Sequence, residues 1–351
     1  MRPQGAKRSV SKKWIILTII LLLLIMLRLI LPGVILKKTN KILAAFSPNY
    51  SLHIDDLRLH IFRGAYSFHG ITGLMKEDQK KFLEVDTIDV SLAWRDLFKG
   101  QMNTDIVADG ARFLLIKDIK KLKIPKKEEK ETARSKLFPL KIERFDLHDG
   151  SITLEGYEAL DEKTHFTIND INGRMTNLVP DDKNALSYFN LTAKIVDPDA
   201  TLKVAGSLNS KASPLKWDFD AEMRNFHLNL MNPYFKKHMP LSFTKGTLDL
   251  YSEVISEDGK MKGYVKPFIR ELDVVANKEH FKNAKHFGFE LISALGNLIL
   301  REKKTKSVAT KMDFTFDKKF KLNTGKTLSK AIQHGFEQQL SPGIEDQYKL
   351  E

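Results

Sequence analysis

The chain has 351 residues, 57 Lys and Arg against 44 Asp and Glu, a formal net charge of +13, and no cysteine. The missing cysteine excludes disulfide scaffolding, thiol catalysis and cysteine-ligated metal. The length allows one large β-rich unit or two small domains.

Residues 1–13 form a basic tail, with Arg2, Lys7, Arg8, Lys12 and Lys13 and no acid. Residues 14–36 read WIILTIILLLLIMLRLILPGVIL, interrupted only by Thr18, Arg28, Pro32 and Gly33. A run of this length crosses a bilayer core as one helix. A buried core helix would carry a polar face, and a cleaved signal peptide would have a shorter apolar region followed by small residues. The pattern therefore predicts a permanent signal anchor. Trp14 serves as its aromatic interface anchor, and Arg28 extends its side chain toward the far headgroups. The charges before the span favour an N-terminus inside, although Lys37, Lys38 and Lys41 follow it. The basic excess then suits anionic lipid headgroups better than nucleic acid, and no nucleic-acid partner is expected.

The helix is expected to run on through Thr39–Phe46 until Pro48. Alternation follows in residues 37–117, an N-terminal β segment. Leu57, Leu59 and Ile61 alternate with polar residues, as do Ile88, Val90, Leu92 and Trp94. Trp94–Gly100 (WRDLFKG) reads as one helical turn. Residues 118–136 are charged, lack aromatics and read as a solvated linker.

Residues 137–351 form the larger β domain. Ile152 and Leu154 share a face, as do Phe189, Leu191, Ala193 and Ile195, and Leu248 and Leu250. Turn signals at Asp197-Pro198-Asp199, Ser213-Pro214, Asn232-Pro233 and Glu257-Asp258-Gly259 separate such strands. This is the pattern of an antiparallel meander, apolar on one face and wet on the other. A glycine device recurs in IVADGARFLL, FDLHDGSITL and LSFTKGTLDL and reads as a hairpin. Helices are expected near 286–300 and 326–340, covering part of the sheet.

Catalytic signatures are missing. Gly325-Lys326-Thr327 mimics the end of a P-loop, but Phe320 stands where the loop needs glycine. No histidine pair has metal-ligand spacing, and no serine sits in a nucleophile elbow. Asp55, Asp56 and Asp149 read as turn and strand-end residues. The expectation is a protein with no enzymatic activity, no catalytic residues, no cofactor and no metal.

In combination, several stretches resemble the AsmA-like family, in the branch known as a domain of unknown function. They are IDDLRLHIFRGAYSFHGITG (54–73), EVDTIDVSLAWRDLFKGQM (84–102), IERFDLHDGSITL (142–154), INDINGRMTNL (168–178), NPYFKKHMPLSFTKGTLDLYSEV (232–254) and AIQHGFEQQLSPGIE (331–345). The resemblance implies a bacterial inner-membrane protein with one span, the N-terminus cytoplasmic and the bulk periplasmic. Longer members of the family carry a β groove with an apolar interior and are implicated in phospholipid traffic. The expected fold is mainly β with an N-terminal transmembrane helix, and a curved antiparallel sheet as open groove or incomplete barrel. The lipid-facing candidates are Phe189, Leu191, Ile195, Ile152, Leu154, Leu248 and Leu250. The partners to expect are the inner membrane, phospholipid acyl chains and other envelope proteins. The alternative is an envelope scaffold with a closed β core and no lipid cargo.

Overall fold

A computed structural model of the chain describes residues 12–60, 64–97, 99, 102–116, 140–155, 166–178, 185–195, 197–209, 212–235, 241–276, 307–316 and 340–350. The charged stretch 118–136, the expected helix at 286–300 and all but the last residue of the expected helix at 326–340 lie outside them.

Helix α1 spans Lys12–Ala44 without a break, with Pro32 inside it. Among the described residues no helix is long and apolar enough to cross a membrane. The backbone of α1 is nevertheless continuous over 33 residues, about 50 Å at 1.5 Å per residue. The chain then turns at Ser47–Asn49 and enters one large curved antiparallel sheet.

Its first five strands are β1 (Tyr50–His60), β2 (Ala65–Met75), β3 (Lys81–Leu92), β4 (Met102–Asp109) and β5 (Arg112–Ile116). The helical turn α2 (Trp94–Leu97) lies between β3 and β4, where the sequence places it. Then come β6 (Leu140–Glu155), β7 (Phe166–Leu178), β8 (Ser187–Ile195), β9 (Asp197–Asn209) and β10 (Lys216–His227). A 3-10 turn (Leu228–Met231) and α3 (Asn232–Phe235) follow, so Asn232-Pro233 opens a helical turn. The last strands are β11 (Leu241–Glu257), β12 (Lys260–Ala276), β13 (Ser307–Ala309) and β14 (Met312–Phe316).

Neighbours in the sheet are mostly neighbours in sequence, as a meander requires. The one parallel junction joins β4 and β5 to β6. Residues 37–117 and 137–351 thus contribute to a single sheet. The connection between them is long enough for the crossover that parallel pairing needs.

The recurring glycine device is not a hairpin. Gly110 falls between β4 and β5, which both pair with β3 and β6; Gly150 lies inside β6 and Gly246 inside β11. Asp55 and Asp149 lie within strands too, not at their ends. Register sets Asp55, Gly70, Asp86, Gly110 and Asp149 side by side across the sheet. Gly70, Gly110 and Asp149 all have positive φ, near 63°, 64° and 51°. A Cβ on Gly70 would overlap the Asp55 carboxylate, and one on Gly110 the Asp86 carboxylate. Only glycine fits both the backbone and the space there.

This transverse kink breaks the period of two in every strand it crosses. Phe68 and Ile71, three residues apart on β2, therefore pack into one cluster with Ile54, Val85 and Ile88. A second irregular line crosses Asn225 on β10, Gly246 on β11 and Glu271 on β12, again with positive φ. Such irregularities bend strands and increase twist.

Candidate functional site

The kink keeps apolar residues on one face of the strands it crosses, and regular alternation in β8 and β9 continues that face. Following the register gives a single row: Leu57, Phe68, Ile88, Ala108, Leu147, Gly173, Leu191, Val204, Ala221, Ser252, Val265 and Met312. Only Ser252 is polar. Eleven strand spacings of ~4.8 Å make this stripe about 50 Å long. The row one residue over, on the opposite face, runs Arg58, Ser67, Asp89, Val107, Asp146, Arg174, Asn190, Ala205, Asp220, Glu253, Tyr264 and Asp313, and only Val107 and Ala205 in it are apolar. The two faces therefore differ in chemistry along the whole sheet.

A second apolar row runs beside the first on the far side of the kink, through Leu52, Gly73, Leu83, Phe113, Ile152, Ile168 and Ile195. In the C-terminal half the same face carries Trp217 stacked on Phe219, with centroids 5.4 Å apart, and the neighbouring rings of Phe314 and Phe316. Most of these side chains are half-buried rather than enclosed.

The sequence-derived candidates all fall on this face. Phe189, Leu191, Ile152, Leu154, Leu248 and Leu250 are half-buried. Phe189 lies opposite Met175 and Gly206, and Leu250 opposite Met223 and Pro267. Ile195 differs, being buried in a cluster with Ala200 and Phe226. Leu230 and Met231 of the 3-10 turn cover that cluster, and Leu248 borders it. A small lid thus closes one patch of the stripe.

At the N-terminal end the stripe begins where α1 docks. Leu36 and Leu43 pack against the Ile54–Ile71–Val85 cluster. Asn40 sits between them on the same helix face. Its carboxamide donates to the Ile54 carbonyl at 2.8 Å and accepts from the Ile54 amide at 2.9 Å. Asn40 thereby stands in for a neighbouring strand on the free edge of β1. Just beyond, Lys76 donates to the Ser47 carbonyl at 2.7 Å, fixing the turn that follows the helix.

Upstream, the described large apolar side chains of α1 are exposed on every side. Trp14, Ile16, Leu17, Ile19, Leu22, Ile25, Met26, Leu29, Ile30 and Val34 are all about half exposed or more. At 100° per residue they cover the full helix circumference. Arg28 is exposed among them. The distance from Trp14 to Leu36 along the axis is about 33 Å, close to the hydrocarbon thickness of a bilayer.

The polar face carries cross-strand ion pairs. Arg174 donates to Asp146 at 2.6 and 3.0 Å, Arg144 to Asp105 at 3.0 Å, and Lys194 meets Asp170 at 2.7 Å. The Arg174 hydrogen bond holds the Asp146 carboxyl below its usual range, against the opposing effect of burial. The Arg144–Asp105 and Lys194–Asp170 pairs are exposed on both sides and contribute little stability individually.

One polar cluster is of a different kind, and sequence patterning missed it. Glu253 and Tyr264 are fully buried on the polar face. Tyr264 donates its hydroxyl to Glu253 at 2.7 Å. The Glu253 carboxylate also accepts from the backbone amides of Glu345, Asp346, Gln347 and Tyr348, at 2.6, 2.6, 2.6 and 3.1 Å. Burial pushes the Glu253 carboxyl up, but the Tyr264 hydroxyl and the amides prevail and hold it below its usual value. Lys266, itself buried, binds Glu345 at 2.8 Å, and Lys311 binds the other oxygen of Glu345. An acid in the alternating strand YSEVISE reads as solvated, and only the position of 340–350 shows otherwise.

Among the described residues no group of three or more His, Asp or Glu could hold a metal ion. The chain matches no family model and no curated protein.

Proposed function

We propose that the chain is a membrane-anchored periplasmic protein of the bacterial inner membrane, AsmA-like, whose apolar sheet face binds phospholipid acyl chains and carries them away from the bilayer. It acts without enzymatic chemistry. The observation that carries this reading is the apolar stripe, interrupted by Ser252 alone, which starts at the strand docked to α1. Its length of about 50 Å exceeds the depth of one leaflet, about 15 Å. An acyl chain needs no specific residue to bind there. Each buried methylene contributes ~0.8 kcal/mol.

The all-round apolar surface of α1 supports the anchor. In water those side chains would remain exposed; in hydrocarbon they are matched on every side. The basic residues before Trp14 favour an N-terminus in the cytoplasm. A periplasm-active reporter fused after Glu351 should be active, and an inactive fusion would overturn this orientation.

The binding test uses full-length protein in detergent and a fluorescent acyl-chain phospholipid. Leu191→Asp and Val265→Asp should each weaken uptake about tenfold, because a carboxylate interrupts the apolar row. Thr192→Asp, on the wet face, should leave it unchanged. Equal uptake by all three, with unchanged circular-dichroism spectra, contradicts the proposal.

A further inference from the structure

The polar face over β10–β12 lies opposite the apolar stripe and takes no part in the proposed lipid binding. Segment 341–350 (SPGIEDQYKL) crosses this face transverse to the strands. Its partners come from successive strands. Lys311, between β13 and β14, and Lys266 on β12 hold the Glu345 carboxylate. Glu253 on β11 receives four backbone amides. Asp218 on β10 accepts from the Leu350 amide at 2.6 Å while also binding the amide and hydroxyl of Ser207, both at 2.8 Å. Tyr348 lies beside Tyr264, with centroids 6.4 Å apart.

Almost all of these contacts are polar, and most use the backbone of the segment. The receptor side is built from side chains: a fully buried carboxylate, a phenol and two lysines. This is how a protein recognises an extended peptide rather than how strands form a common core. The chemistry also specifies the ligand. It needs an acidic side chain to sit between two ammonium groups. It then needs three consecutive amides after that residue, none of them proline, directed at one carboxylate. Residues 345–348 (EDQY) meet both conditions.

We propose that β10–β12 form a peptide-docking site built on Glu253, Tyr264, Lys266 and Lys311, and that the chain's own C-terminal segment is its exchangeable ligand. Docked, the segment ties the short edge strands β13 and β14 to the body of the sheet through Lys311 and Glu345. It thereby braces the end of the sheet farthest from the helix. Undocked, it leaves a buried carboxylate and a buried lysine open to the same segment of a second copy, or to a peptide of the same pattern.

The test inserts a specific protease site between Leu340 and Ser341 of the full-length chain in detergent. After cutting, the segment should stay with the body on size exclusion. Excess synthetic peptide 341–351 should displace it, and a peptide with Glu345→Lys should be at least about tenfold weaker, as expected when a charge-assisted contact is reversed. In the uncut chain, Glu253→Gln should speed hydrogen exchange at amides 345–348 about tenfold or more, with β1–β4 unaffected. Immediate loss of the cut segment, collapse of the body on cutting, equal displacement by both peptides, or unchanged exchange in the Glu253→Gln chain would each overturn the proposal.

Discussion

Residues that bend the sheet and residues that hold its far end obey different rules. Gly70 and Gly110 are needed for a positive φ beneath a neighbouring aspartate, and any side chain there meets strain and overlap together. Gly110 was legible in the sequence as one of three repeated glycines, each followed by an alternating strand, and Gly70 was not. The meaning of the repeat was not legible, because a kink inside a strand and a turn between strands have the same local composition. Asp220 illustrates the opposite case, where burial and register together create the property. It lies opposite Glu253, and burial first, then the charge of Glu253, raises its carboxyl to about 6. The folded protein thus binds this proton more tightly than the unfolded chain. Its stabilising contribution is present below the ordinary value near 3.8 and is lost as pH rises toward about 6. Asp220→Asn should therefore raise the melting temperature at pH 7.5 and change it little at pH 4. Glu253 and Glu345, with lowered values, act in the reverse direction and weaken docking of the C-terminal segment in acid. An equal effect of Asp220→Asn at both pH values would contradict the assignment.

Among the elements, α1 is the one whose sequence said most and whose docking it said least about. The helix over the apolar run and its extension past Leu36 were readable because a long continuous apolar run is too long for a strand. The join to the sheet was not readable, because Asn40 looks like any polar residue after an apolar run. Its carboxamide fills both backbone positions of Ile54 and fixes the helix to the edge of β1. Asn40→Ala should remove both bonds at a cost of about 1–3 kcal/mol. Hydrogen exchange should report this as Ile54 amide opening tenfold or more faster, with β10–β12 unchanged. Unaltered exchange at Ile54 would mean that Leu36 and Leu43 hold the join by packing alone. The strands themselves were largely readable from their period of two. The parallel junction at β6 was not, because pairing across residues 117–139 is decided by the tertiary fold and leaves no local mark.

For the whole molecule the governing feature is the separation of two faces over a sheet of many strands. One is an apolar row from Leu57 to Met312, and the other is a polar face braced by ion pairs and the C-terminal segment. The seven candidate residues share the apolar face because each strand alternates locally. Their continuity into one stripe was hidden, since the kink shifts the alternation and only the register shows that the shift is shared. The stripe meets the docked end of α1, so under the proposed reading an acyl chain leaving the bilayer would meet apolar surface without crossing water. Photo-crosslinking in intact cells tests this most directly. A photoreactive residue at Leu191 or Leu250 should give phospholipid adducts by mass spectrometry, and one at Thr192 or Lys203, on the opposite face, should not. Adducts at neither pair, or equally at both, would contradict a lipid-binding face.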